Sequence, residues 1–139
     1  MSFYPVRSGD WDVKWFRKKA STAITPNTFV TESSDDDTIE PCTSSSADVV
    51  GIAMKKVAST DSDYASLTRI PVLVPVTPAA EIFCNDVGGT FAVTDEGELI
   101  DLTDADTADA DASTTDILKV KQFVSTTSGI FTLNKPSFV

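Results

Sequence analysis

The apolar residues of this chain recur with the two-residue period of β-strands, and no window of adequate length carries the spacing of an amphipathic helix. The cleanest alternation is Ile70, Val72, Val74 and Val76. At 139 residues the chain is long enough for one domain with its own core. We therefore predict a single all-β domain, built as a small barrel or a sandwich.

Two prolines restrict where that alternating strand can lie. Pro71 and Pro75 share the parity opposite to the apolar residues, so both remove amide donors from the same side of the strand. We predict that this strand lies at a sheet edge or at a barrel rim.

Two hairpins are predicted in the second half of the chain. The first joins residues 90–94 to 99–102 across Asp95, Glu96 and Gly97, where the glycine would supply a positive φ. The second joins residues 117–125 to 130–134.

Long acidic loops are predicted between the strands. Residues 31–46 consist mainly of Ser, Thr, Asp and Glu, with room for at most a short strand at 38–40, and a second acidic run covers 101–116. The second run contains a comb of carboxylates, but its spacing does not fit a calcium-binding EF-hand loop. We predict no metal site there. The comb consists of Asp104, Asp106, Asp109 and Asp111.

The N-terminal segment differs from the rest of the chain in composition. Residues 1–24 hold five of the twelve aromatic side chains, and five basic against two acidic residues, although the whole chain has a net charge of −10. Within it Trp11, Val13 and Trp15 alternate with charged residues, as in a strand with one apolar face.

This segment has two interpretations, which the sequence leaves open. Residues 1–24 are either an extended arm that reaches a partner or the first strand of the domain formed by residues 25–139. Aromatic and arginine side chains dominate binding hot spots, so the predicted partner-binding residues lie here. They are Phe3, Tyr4, Arg7, Trp11, Trp15, Phe16, Arg17, Lys18 and Lys19.

Composition argues against several classes of function. The chain has no histidine, which excludes a histidine-containing catalytic triad, and we predict neither enzymatic activity nor a cofactor. The acidic charge argues against nucleic-acid binding, and no apolar run is long enough for a membrane-spanning helix. A signal peptide is not recognisable, so we expect synthesis and assembly in a cytoplasm. Such a compartment disfavours a bridge between Cys42 and Cys84, although their pairing stays open.

Four short phrases, taken in order, resemble the decoration (cement) proteins of tailed-phage capsids. They are Val50-Gly51-Ile52-Ala53, Ile70-Pro71-Val72-Leu73-Val74, Gly89-Thr90-Phe91-Ala92-Val93 and Gly129-Ile130-Phe131. The resemblance covers about residues 48–134. The aromatic N-terminus and the long acidic insertion depart from it.

The resemblance implies a β-tulip or related fold that forms homotrimers on the outer surface of the virion. There it would bridge subunits of the major capsid protein and stabilise the shell, with no catalytic residue. A different class of function also fits the sequence, namely a carbohydrate- or ligand-binding β module of a fibre, tail or cell surface. A hydrolase that uses a carboxylate pair is the least favoured interpretation.

Overall fold

A computed structural model describes residues 2–34 and 37–137, and every regular element in these ranges other than two 3₁₀ turns is a β-strand. The all-β prediction is therefore confirmed. The 3₁₀ turns are Ser8–Asp10 and Val93–Asp95. The strands are β1 Phe3–Pro5, β2 Trp11–Arg17, β3 Phe29–Glu32, β4 Ile39–Pro41, β5 Gly51–Ala53, β6 Arg69–Pro75, β7 Glu81–Cys84, β8 Val87–Gly88, β9 Leu99–Asp104, β10 Thr107–Asp109, β11 Leu118–Ser125 and β12 Ser128–Leu133.

The strands form two sheets, in the manner of a sandwich. A seven-stranded sheet has the order β1-β7-β12-β11-β9-β10-β8, and a five-stranded sheet has the order β2-β6-β5-β3-β4. Neither sheet closes into a barrel, so of the two architectures predicted the sandwich fits. The outer strands of the five-stranded sheet approach each other at one point, where Lys18 forms a parallel bridge with Ile39.

The described residues form two apolar clusters, and the larger of them holds the two sheets together. The larger cluster takes side chains from both sheets, including Phe29 and Ile52 from one and Ile82 and Phe131 from the other. The smaller cluster lies on the opposite face of the five-stranded sheet, and its residues from β6 are those of the predicted alternation. Those residues are Ile70, Val72 and Val74. Successive side chains along the strands of the five-stranded sheet thus pack into two different cores, one on each face.

The prediction that β6 lies at an edge is wrong, because β6 lies between β2 and β5. The amide of Met54 donates to the carbonyl of Pro71 at 3.1 Å, so the proline side of β6 faces β5. Strand β5 is only three residues long and pairs with β6 at two positions, Leu73 and Val72. The missing proline amides therefore fall at and beyond the ends of this short pairing.

One of the two predicted hairpins is present. Strands β11 and β12 pair antiparallel, which confirms the hairpin of residues 117–134. The hairpin of residues 90–102 is wrong, since residues 90–92 are not in a strand and β9 pairs with β10 and β11 instead. Phe91 explains the difference, because its ring is buried against Phe123 and Phe131 at centroid distances of 5.3 and 5.9 Å.

An extended N-terminal arm is not confirmed. Strand β1 pairs with β7 over three residues, and Phe3 is fully buried with its ring stacked on Phe29 at 3.8 Å. Strand β2 pairs with β6 over seven residues. Residues 3–5 and 11–17 of the segment are thus strand, and the burial of the Phe3 ring in the core favours this arrangement over projection into water.

The long acidic stretches are more structured than loops. Strand β4 confirms the short strand expected near residues 38–40, while Asp35 and Asp36 lie outside the described residues. Strands β9 and β10 cover residues 101–104 and 107–109 of the run from 101 to 116.

Candidate interaction surface

The structure does not bring the nine predicted partner-binding residues together. Phe3 and Tyr4 lie on β1 in the seven-stranded sheet, whereas Trp11 to Arg17 lie on β2 in the other sheet. Three of the nine are buried, namely Phe3, Trp11 and Lys18. Burial removes these three from any surface that a partner could touch. Arg7 and Trp15 are exposed, and the remaining four are half-buried.

Trp15 is the most exposed aromatic side chain of β2, with 58% of its surface accessible to solvent. Its cross-strand partner is Pro71, and Val13, which is 44% exposed, pairs with Leu73. Directly paired residues lie on the same face of a sheet. Met54, which is 45% exposed, extends this face beyond β5. We call these five residues, Val13, Trp15, Met54, Pro71 and Leu73, the β2 patch.

Trp11 shares the parity of Trp15 but belongs to the larger core, with only 7% of its surface exposed. The seven-stranded sheet therefore covers only part of the face that β2 offers. Sequence periodicity predicted that face, and only the fold shows which of its residues stay open.

Lys18 has a structural role that the sequence did not indicate. Its side chain is fully buried, and its ammonium donates hydrogen bonds to the carbonyls of Lys19 at 3.2 Å, Tyr64 at 2.6 Å and Ser66 at 3.0 Å. Burial lowers the pKa of Lys18, and the nearby carboxylate of Asp63 opposes that shift. All three ammonium protons have acceptors, so Lys18 attaches the segment around residues 64–66 to the end of β2.

The adjacent Lys19 is also engaged within the chain. Its ammonium forms a salt bridge with Glu40 at 3.2 Å. The basic cluster predicted at residues 17–19 thus divides between internal contacts and the surface.

Three carboxylates of the acidic comb accept hydrogen bonds from backbone amides, two of them from the second residue that follows. Asp104 accepts from the amide of Asp106 at 3.0 Å, Asp109 from Asp111 at 3.0 Å, and Asp111 from Thr90 at 3.0 Å. Within the described residues, no group of three or more His, Cys, Asp or Glu side chains is placed to hold a metal ion.

An open polar depression lies beside β3 and β4, and its acidic side chains are Glu32, Glu40 and Asp48. Each of them has a partner inside the chain. Asp48 accepts from the Thr31 hydroxyl at 2.8 Å, Glu40 from Lys19, and Glu32 from Ser137 at 3.4 Å. These contacts connect β3 and β4 to other parts of the chain.

The two cysteines are free and buried in the larger core. Burial raises the pKa of Cys42 to about 12 and that of Cys84 to about 11. Both thiols therefore stay protonated and act as small apolar side chains.

Within the ranges described, no helix is long and apolar enough to cross a membrane. Comparisons with protein-family models, with curated proteins and with solved structures found no match. The β2 patch is therefore the strongest candidate for a functional surface, and it rests on the geometry of this chain alone.

Proposed function

We propose that this chain is a non-enzymatic structural protein of a phage virion, which binds the outer surface of the capsid and stabilises it by bridging subunits of the major capsid protein. The observation that carries the binding part is the β2 patch, above all the exposed ring of Trp15. The resemblance of four sequence phrases to capsid decoration proteins carries the assignment to a phage shell.

The side chains of the patch fit an interaction surface. Trp15, which is 58% exposed on a paired strand, forms a contiguous apolar area with Val13 and Met54. Single exposed apolar residues are common and need no explanation, but a contiguous area indicates an interaction surface. Tryptophan is also among the residues that contribute most to protein binding energy. Because the strand is paired along its length, the backbone that carries the ring is ordered before binding and loses little conformational freedom.

The distribution of charge supports the same orientation. Arg17 and its cross-strand partner Arg69 share the face of the sheet that carries Trp15, whereas residues 25–139 hold nineteen of the twenty-one acidic side chains. A shell surface with carboxylates would be attracted to β2 and repelled by the rest of the molecule. The acidic side would then face solvent, where like charges keep particles apart.

The mode of attachment differs from the one expected of an extended arm. With β1 and β2 paired in the sheets, contact would come from a rigid face. The resemblance implies three copies in each assembly, and three such faces on one body would bind with greater avidity than a single one.

Binding to shells that lack the protein tests this proposal. The full-length chain should co-sediment with such shells and raise the temperature at which they break open. Trp15→Ala should weaken binding by about thirty-fold or more, the effect of losing a hot-spot side chain. Val93→Ala is a matched control, since Val93 is 59% exposed but lies on a 3₁₀ turn that contacts β11 of the other sheet. Absence of co-sedimentation, or equal binding by both variants, would contradict the proposal.

Carbohydrate binding is a second candidate, because an exposed indole ring can also stack on a sugar. The same variant distinguishes the two functions. Binding of the isolated protein to glycans, lost in Trp15→Ala, would favour the carbohydrate-binding module over capsid attachment.

A further inference from the structure

We infer that the cavity between β2 and the β3–β4 pair binds an arginine side chain of a partner protein. The cavity has a volume of about 240 Å³. It is lined by Phe16 of β2, Glu32 of β3, Ile39 of β4, and the two residues that precede β4, Asp37 and Thr38. Cavities that hold drug-sized ligands measure about 300–1,000 Å³. This cavity is smaller, so its size suits a single side chain.

Strand pairing explains why these residues meet. Glu32 and Ile39 are directly opposite each other in the antiparallel β3–β4 pair, so their side chains share one face. Ile39 belongs to the smaller core, and Phe16 packs against the same core opposite Ile70. The bridge between Lys18 and Ile39 brings the end of β2 next to β4. The cavity is therefore an opening of the smaller core towards solvent.

The inner wall of the cavity is apolar. Ile39 is only 1% exposed, and Phe16 is half-buried. The methylene stems of arginine and lysine pack along such surfaces while their charged groups stay at the rim. A guanidinium group can also stack on an aromatic ring, so Phe16 favours arginine over lysine. A calcium ion would need about six to eight oxygen ligands, which an apolar wall does not supply.

The rim of the cavity carries negative charge. Glu32 and Asp37 are both exposed, and across residues 2–34 and 37–137 neither forms a salt bridge. One oxygen of Glu32 accepts from the Ser137 hydroxyl at 3.4 Å, which leaves its charge in place. The ammonium groups of Lys18 and Lys19 already have acceptors elsewhere. Two carboxylates beside an apolar wall are complementary to a side chain with an apolar stem and a cationic end.

The identity of the partner rests on the proposed function, under which the arginine belongs to the shell protein. Strand β2 is the outermost strand on its side of the five-stranded sheet, with Trp15 on one face and Phe16 on the other. A partner seated on the β2 patch would reach the cavity around this strand. Arg17 and Arg69 attract carboxylates on the Trp15 face, whereas the cavity attracts a cation on the other. A partner that fits both sites carries both signs of charge, which restricts its identity.

Titration of the isotope-labelled full-length protein with a capped Gly-Arg-Gly peptide tests the chemistry of the cavity. The amide signals of Phe16, Thr38 and Ile39 should shift and saturate, with a dissociation constant on the order of 1–10 mM for one side chain. The same peptide with citrulline in place of arginine is the control, because citrulline has a similar shape but no charge. Equal binding of the two peptides, or no shift with either, would overturn the inference.

Replacing the rim carboxylates tests which residues hold the cation. The double variant Glu32→Gln with Asp37→Asn should bind the arginine peptide at least ten-fold more weakly, because charge-assisted hydrogen bonds to the guanidinium are lost. Both positions are exposed, so the fold should be retained, and the remaining amide signals check this. Glu98→Gln removes an exposed carboxylate elsewhere and should bind the peptide like wild type. Unchanged peptide binding by the double variant would overturn the inference.

Shell binding links the cavity to the partner. The double variant should co-sediment with shells about ten-fold more weakly than wild type, whereas Trp15→Ala should lose shell binding and keep peptide binding. Shell binding by the double variant equal to that of wild type would overturn the inference and leave the proposed function standing. If wild type itself did not bind shells, the proposed function would fail, and the peptide titration would still decide whether the cavity takes arginine.

Discussion

The carboxylate of Asp101 on β9 organises the loop that follows β10, and it is 4% exposed. It accepts hydrogen bonds from three consecutive backbone amides at 2.8 to 3.0 Å, those of Thr114, Thr115 and Asp116. Asp101→Asn keeps the size of the side chain but removes its charge and turns one acceptor into a donor that faces these amides.

The expected loss follows from these contacts. A hydrogen bond to a charged group contributes about 1.5–3 kcal/mol, and an unsatisfied donor costs about 1–3 kcal/mol where water cannot reach it. The asparagine keeps one oxygen, and Thr114 is exposed enough to be hydrated. We therefore expect the free energy of unfolding to fall by about 2–4 kcal/mol, less than the sum of all contacts.

The loss should depend on pH in a defined direction. Burial acts to raise the pKa of Asp101, but the hydrogen bonds from Thr114, Asp116 and Thr115 outweigh it, so the pKa is lowered. A carboxyl group with a lowered folded pKa stabilises the protein fully above its unfolded pKa of about 3.9. That stabilisation is lost as the pH falls through the folded pKa. The difference between wild type and Asp101→Asn should thus be constant near neutral pH and shrink below about pH 4.

Urea denaturation followed by tryptophan fluorescence, repeated at several pH values, measures this difference. Glu98→Gln is the control, because Glu98 is exposed and its substitution should change the free energy of unfolding by no more than about 0.5 kcal/mol. Equal effects of the two variants, or a difference that stays constant down to the lowest pH at which the protein folds, would refute the reasoning.

Three further outcomes follow from the core. Phe3→Ala should lower the free energy of unfolding by about 3–5 kcal/mol in the same assay, since its stacked ring is fully buried, and a negligible change would favour a detachable arm. Gly51→Ala should lower the free energy of unfolding by about 2 kcal/mol or more, because a Cβ would overlap a β6 carbonyl. Gly9→Ala is the control, since a Cβ there meets open space and should lower it by about 0.5 kcal/mol or less. At about pH 8 a disulfide reagent should label Cys42 and Cys84 only after unfolding, because burial raises their pKa to about 12 and about 11, and rapid labelling of the native protein would contradict this.

Local sequence patterns predicted the secondary structure correctly where a strand buries one of its faces and where two strands are joined by a short turn. The alternation in β2 and β6 was read correctly as strand, and the pair β11–β12 followed from two apolar runs around a turn. Phe91 shows the limit of such patterns. An apolar run of strand composition became a loop that inserts one ring into the core, because burial of that ring does not require strand pairing.

The candidate site was predicted only in part. The sequence placed the aromatic and basic residues near the N-terminus, but periodicity gave Trp11 and Trp15 the same environment, and Lys18 carried no signal of burial. The position of β6 was misjudged for a related reason. The sequence shows that Pro71 and Pro75 lack amide donors. It does not show that the neighbouring strand β5 is too short to need those donors, because the length of that pairing is set by the fold.

By itself, the sequence determined the class of structure and the uneven distribution of charge, because strand periodicity and side-chain chemistry are local properties. Only the tertiary structure decided which strands pair, which tryptophan the second sheet covers, and which strand edge stays open. These features depend on contacts between residues far apart in the chain, and no local pattern encodes where one sheet ends over the face of another.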